Sequence, residues 1–151
     1  MSNVVIRDFE MKDYSKVMEI ENLTFVAPWN EKEMLYEIND NEFSLIGVAT
    51  IDEQVVGFYD FWITFDSATI AQIAVHPSYQ HLGIGSLMMK EILKECSIKK
   101  VNNITLEVRK NNVKAINFYE KHGFITRLTK EKYYSNGDDA LYMIKEVTVN
   151  G

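Results

Sequence analysis

The sequence predicts an α+β fold, a mixed but mostly antiparallel central sheet flanked by helices, on three observations. Three strand-like segments follow one another through the middle of the chain, as in an antiparallel meander. The second half then alternates between helical and strand periodicity. Two further β-rich runs joined through an Asn-Gly turn signal close the chain as a hairpin. With 151 residues, no repeat and no linker, a single domain over 1–151 is expected, able to hide roughly two-thirds of its unfolded surface.

Each element has a local reason. Val4-Val5-Ile6-Arg7-Asp8-Phe9 reads as a first strand. Asp13 is placed to cap a helix whose Val17, Ile20, Leu23 and Thr24 fall near one face. Pro28-Trp29-Asn30 breaks that pattern. Asn30 with Glu33 then has the form of a capping box, opening a second helix with Met34, Leu35 and Ile38 on its apolar side. Phe43 to Ile51 and Gln54 to Phe65 are strands across a tight Asp52-Glu53 connection. Ala68 to Val75 is the next strand, stopped at His76-Pro77 because proline cannot extend a ladder. Ile84, Leu87, Met88, Ile92 and Cys96 recur at helical spacing behind Gly83-Ile84-Gly85. Ile104 to Arg109 is a strand, and Asn112 can cap a helix carrying Ile116 and Tyr119 that ends at Gly123. Phe124 to Tyr134 and Ala140 to Val147 pair around Ser135-Asn136-Gly137-Asp138. The predicted order is βααβββαβαββ.

Composition narrows the function classes. Lys and Arg number 16 against 22 Asp and Glu, a net charge of −6, which argues against nucleic acid as a partner. No uncharged apolar run approaches the ~20 residues that cross a bilayer, so no membrane partner is expected. The first residues lack the basic region and apolar core of a secretion signal. One cysteine, Cys96, cannot form an internal disulfide and fits a reducing, cytoplasmic setting. It lies on the apolar face of its helix and reads as core, not as a nucleophile. His76, His81 and His122 lack paired ligand spacing, and no metal is expected.

The informative stretch is Ile73-Ala74-Val75-His76-Pro77-Ser78-Tyr79-Gln80-His81-Leu82-Gly83-Ile84-Gly85. A strand ends, a short loop crosses, and two glycines open a helix. Amides at a helix start lack intrahelical partners, and with the helix dipole they attract phosphate. It is not a P-loop, because no Gly-Lys-Ser/Thr follows. It is not a dinucleotide fingerprint either, since Met88 stands where a third glycine is needed.

Gln80-x-x-Gly83-x-Gly85 resembles the Arg/Gln-x-x-Gly-x-Gly/Ala loop of the GCN5-related N-acetyltransferase (GNAT) superfamily. Thr105-Leu106-Glu107-Val108-Arg109-Lys110-Asn111-Asn112 and Ala115-Ile116-Asn117-Phe118-Tyr119-Glu120-Lys121-His122-Gly123-Phe124 are similar to its bacterial RimI branch. So are Ala27-Pro28-Trp29-Asn30, Tyr133-Tyr134 and Gly137-Asp138-Asp139-Ala140-Leu141. The anchors occur in order along nearly the whole chain. The sequence departs from the pattern at Gln80-His81-Leu82, which has no arginine, at Asn111 in place of serine, and in Ser67 to Ala71.

The resemblance implies the GNAT fold, acetyl-CoA as co-substrate and an acceptor amine. It assigns the cofactor's pyrophosphate to Gln80, His81, Leu82, Gly83, Ile84, Gly85 and Ser86, and its pantetheine arm to the backbone of Ile73, Ala74 and Val75. Asn112 and Tyr119 are implied to touch the cofactor. Glu107 is implied as general base and Tyr119 as the acid that protonates the leaving thiolate. Read alone, Glu107 equally suits an exposed carboxylate paired with Arg109 or a lysine, Tyr119 a packed core aromatic, and Asn112 a helix cap.

The branch implies a protein N-terminal α-amine as acceptor, namely the N-terminal alanine of the eighteenth small-subunit ribosomal protein, a basic tail. An α-amine has a pKa near ~8 against ~10.4 for lysine, so one modest base serves it at neutral pH. Acceptance of a lysine, a polyamine or another small amine, or a catalytically weak CoA-binding module, are the alternatives. The segments Thr24 to Glu33 and Ser135 to Asp139 are where acceptor choice is expected to lie.

Overall fold

The protein is described by a computed structural model over residues 3–147. Strands β1 (Val4–Asp8), β2 (Ser44–Ile51), β3 (Gln54–Thr64), β4 (Ser67–Val75), β5 (Asn103–Arg109), β6 (Ile125–Lys130) and β7 (Ala140–Glu146) form one sheet in the order β1-β2-β3-β4-β5-β7-β6. Helices α1 (Tyr14–Thr24), α2 (Glu31–Asn39), α3 (Ile84–Ile98) and α4 (Val113–Lys121) connect them, with 3-10 turns at Met11–Asp13 and Pro77–Tyr79. The order agrees with the one read from the sequence. Every pairing is antiparallel except β4 with β5. That one parallel step needs a long crossover, which α3 supplies.

Strand alternation divides the core between the two faces of the sheet. On one, Ile84, Met88, Met89, Ile92 and Cys96 of α3 and Tyr119 of α4 pack on Val56, Phe61, Ile104, Leu106 and Val108. On the other, Val17 and Ile20 of α1 and Met34 of α2 cover Val48, Val55 and Phe58. Each fully buried side chain of this size contributes about 1.5–3 kcal/mol.

Several local expectations are corrected. Asp13 does not cap α1 with its side chain. It accepts instead from the Glu10 amide at 2.8 Å and pairs with Arg7 at 2.8 Å, because a 3-10 turn precedes the helix. The guanidinium of Arg7 holds the Asp13 carboxyl below its ordinary range. Leu23 and Leu87 are exposed, and the buried stripes run through Glu21 and Met89 instead. β6 stops at Lys130 rather than Tyr134. The turn itself forms at the tip, where Gly137 takes φ +90° and its amide donates to the Tyr134 carbonyl at 2.9 Å. Residues 131–134 lie between strand and turn because Lys132 N–H donates to the Asp139 side chain at 2.9 Å instead of continuing the ladder. The Asn30 and Glu33 capping box is present as expected.

The α2 face of the sheet buries a carboxyl pair. Asp60 accepts from Ser44 Oγ at 2.5 Å and lies beside Glu37, which accepts from Trp62 Nε1 at 2.6 Å and Asn41 Nδ2 at 3.0 Å. Burial, reinforced by the neighbouring Glu37 carboxylate, pushes Asp60 up to about 9. A folded-state value above the unfolded one stabilises the fold fully below the unfolded pKa, and that stability is lost as pH rises towards 9. Asp60→Asn supplies the same donor and acceptor without titrating. It should fold normally near neutrality and flatten the alkaline fall of the melting temperature, measured by thermal unfolding from pH 5 to 9.

Candidate active site

A bulge in β4 creates the site. The β3–β4 register passes from Asp60↔Gln72 to Phe61↔Ile70, leaving Ala71 as the extra residue. A bulge bends its strand. Accordingly, β4 pairs with β5 only through Ser67, Ala68 and Thr69, although its other edge stays paired with β3 as far as Val75. Ile73, Ala74 and Val75 therefore border an opening between β4 and β5, with backbone groups along it that have no partner strand.

That edge leads into the loop and α3. The Pro77–Tyr79 turn starts at His76, whose side chain accepts from Ser78 N–H at 3.0 Å. Gln80 folds back, its Nε2 donating to Val75 O at 3.3 Å, and His81 and Leu82 are exposed. Gly83 sets the helix start at φ +78°, and the first helical bond runs from Leu87 N–H to Gly83 O at 3.1 Å. The amides of Ile84, Gly85 and Ser86 are thus left at the helix end without helical acceptors. Gly85 lies under Phe118 of α4: a Cβ built on it would come within 3.1 Å of Phe118 Cε1. An elongated arm with a diphosphate fits this combination of free strand edge and open helix end.

Two features here were not read from the sequence. The arginine-free loop is reached by Lys114 of α4, whose Nζ donates to Gln80 Oε1. Ser86 turns its hydroxyl to His122 Nε2 at 3.0 Å, and burial with Lys121, Lys145 and Lys90 nearby lowers the His122 pKa. Asn112 accepts from Ala115 N–H at 3.2 Å, so its side-chain oxygen is a helix cap. Tyr119 is buried, edge-on to Phe118 and Phe124, and burial raises its pKa.

Glu107 projects from the α1/α2 face of the sheet, opposite Leu106 and Val108, which enter the α3 core. It does not pair with Arg109, which binds Asp138 at 2.9 Å and lies 3.9 Å from the centre of the Tyr134 ring. Its ionic partner is Lys130, at 3.3 Å. Interaction with the nearby Glu107 carboxylate, together with burial, pushes the Tyr133 phenol up to about 12.

The α1–α2 loop is tied to the same region. Glu21 Oε2 accepts from Trp29 N–H at 2.9 Å and from Gln72 Nε2 at 2.8 Å, next to the bulge. Burial raises the Glu21 pKa against the pull of those donors. The signal for this residue was available, since Glu21 follows Val17 by four and shares its buried stripe. The arrangement thus brings together an unpaired strand edge, an open helix start, a partly exposed carboxylate and a buried phenol.

A family model described as the acetyltransferase (GNAT) family matches residues 14–124. An uncharacterized N-acetyltransferase of Methanocaldococcus jannaschii is 36% identical over 146 residues, covering 95% of this chain and 92% of that protein. The ribosomal protein bS18-alanine N-acetyltransferase of Escherichia coli strain K12 is 30% identical over 147 residues, covering 95% of this chain and 98% of its own. A crystal structure of the ribosomal-protein-S18-alanine N-acetyltransferase from Escherichia coli matches this fold with a TM-score of 0.90 at 29% identity, over 99% of this chain and 97% of that one.

Proposed function

The chain belongs to the acetyltransferase (GNAT) family, and on that premise we propose that it acetylates a protein N-terminal α-amine. As a member of that family it is an acetyl-CoA-dependent N-acetyltransferase. The acceptor in this reading is the N-terminal alanine of ribosomal protein bS18, the substrate in the name of the Escherichia coli relative. Residues 1–151 act as one N-acetyltransferase domain, in the cytoplasm. The net charge of −6 suits a basic tail. Among the described residues no helix is long and apolar enough to cross a membrane.

The observation that carries the reading is the setting of Glu107: a carboxylate on the α1/α2 face, ringed by Lys130 and Tyr133 and separated from the α3 core by its own strand. Acetyl-CoA supplies the acetyl group as a thioester. Ile73, Ala74 and Val75 hold its arm through backbone groups, and one of their N–H groups polarises the thioester carbonyl. The amides of Ile84, Gly85 and Ser86, the Gln80-His81-Leu82 loop and Gly83 hold the diphosphate, with Asn112 beside it. Glu107 takes a proton from the acceptor nitrogen as its C–N bond forms. Tyr119, kept protonated by burial, gives its proton to the departing thiolate as the C–S bond breaks.

Tyr119→Phe should lower kcat by about 10²-fold while the KM for acetyl-CoA stays close to wild type. Full turnover in steady-state assays would remove the acid role. The acceptor is tested with labelled acetyl-CoA and three amines: an Ala-starting ribosomal-tail peptide, an N-blocked lysine peptide and spermine. Label is expected on the first; label confined to either of the others overturns the α-amine assignment.

A further inference from the structure

Lys130, Tyr133, Tyr142 and Glu107 come together through strand register. Glu107 of β5 stands directly opposite Tyr142 of β7, and Tyr142 opposite Leu128 of β6. A register shift between Thr126 and Leu128 re-aims the end of β6, so that Lys130 leans back over this pair. Its Nζ lies 3.3 Å from Glu107 Oε1, 5.1 Å from the centre of the Tyr133 ring and 5.3 Å from that of Tyr142. Two aromatic faces and a carboxylate around one nitrogen are the groups by which proteins bind an alkylammonium.

We infer that this is the ammonium subsite of the acceptor and that Lys130 occupies it as a built-in competitor. The inference rests on the reading of Glu107 as the base that meets the acceptor amine. An α-ammonium entering the site displaces the Lys130 head group, which swings into solvent on its flexible stem; the lysine is already about one-third exposed. The acceptor's amine end then sits against Glu107: its ammonium proton is released to solvent, and Glu107 takes the second proton as the C–N bond forms. Lys130 thereby sets the acceptor KM without taking part in the chemistry.

The test compares Lys130→Met, Lys130→Arg and Glu107→Gln in steady-state assays, varying an Ala-starting basic peptide and acetyl-CoA separately. Lys130→Met should lower the acceptor KM roughly five-fold, leave the acetyl-CoA KM unchanged, and make the enzyme more sensitive to competitive inhibition by n-propylammonium chloride. Lys130→Arg keeps the charge and should keep the wild-type acceptor KM. An unchanged or higher acceptor KM in Lys130→Met, with Glu107→Gln inactive, overturns the competitor role alone. Full turnover by Glu107→Gln removes the base reading, and this inference with it. A merely structural lysine would alter both KM values and the thermal midpoint instead.

Discussion

Glu107→Gln is expected to reduce kcat by about 10²–10⁴-fold, the range general-base catalysis commonly contributes. The amide keeps an oxygen acceptor for Lys130, so the local geometry survives and only the basic site is lost. The KM for acetyl-CoA should hold, because the loop and α3 are untouched. Single-turnover rates with a pre-bound cofactor separate this outcome from slow product release. Retention of the wild-type rate would mean that the proton leaves by another route and that Glu107 only anchors Lys130 and Tyr133.

Gly83→Asp should weaken acetyl-CoA binding at least 100-fold, about 2.7 kcal/mol, while the chain still folds. Gly83 adopts φ +78°, and a Cβ there meets no atom within 4 Å, so a side chain fits. Aspartate tolerates this left-handed conformation better than most residues and serves well before a helix. The helix start is therefore preserved, and the added carboxylate opposes the diphosphate in charge and competes for the same amides. Isothermal titration measures the loss, with circular dichroism confirming the fold. Unaltered affinity would place the diphosphate elsewhere.

The backbone frame was legible because periodicity and turn residues are local signals. Asn30 with Glu33, Asn112 and Gly83 all sit at the helix starts their chemistry indicates. The departures have physical causes that a one-dimensional pattern does not carry. Leu23 is exposed, whereas Glu21, two residues before it and on the opposite side of the helix, is held in the core by Trp29 and Gln72, partners 8 and 51 residues away. The shortened β6 follows from the Lys132–Asp139 bond competing with the ladder. The candidate site divides in the same way. Gly83, Gly85 and Glu107 stand in motifs, whereas Lys130 meets Glu107 only through the register of three strands. The missing loop arginine was visible, but Lys114 as the basic group beside Gln80 was not, since it comes from another helix.

The bond pair at Glu21 has a mechanical meaning. It ties the α1–α2 loop at Trp29 to β4 at Gln72 through one buried carboxylate, so neither can move without dragging the other. That loop is thereby ordered during folding, and the entropy of ordering it is not charged again when a ligand binds beside it. If the acceptor enters beside this loop, as proposed, it meets an opening shaped in advance of its arrival.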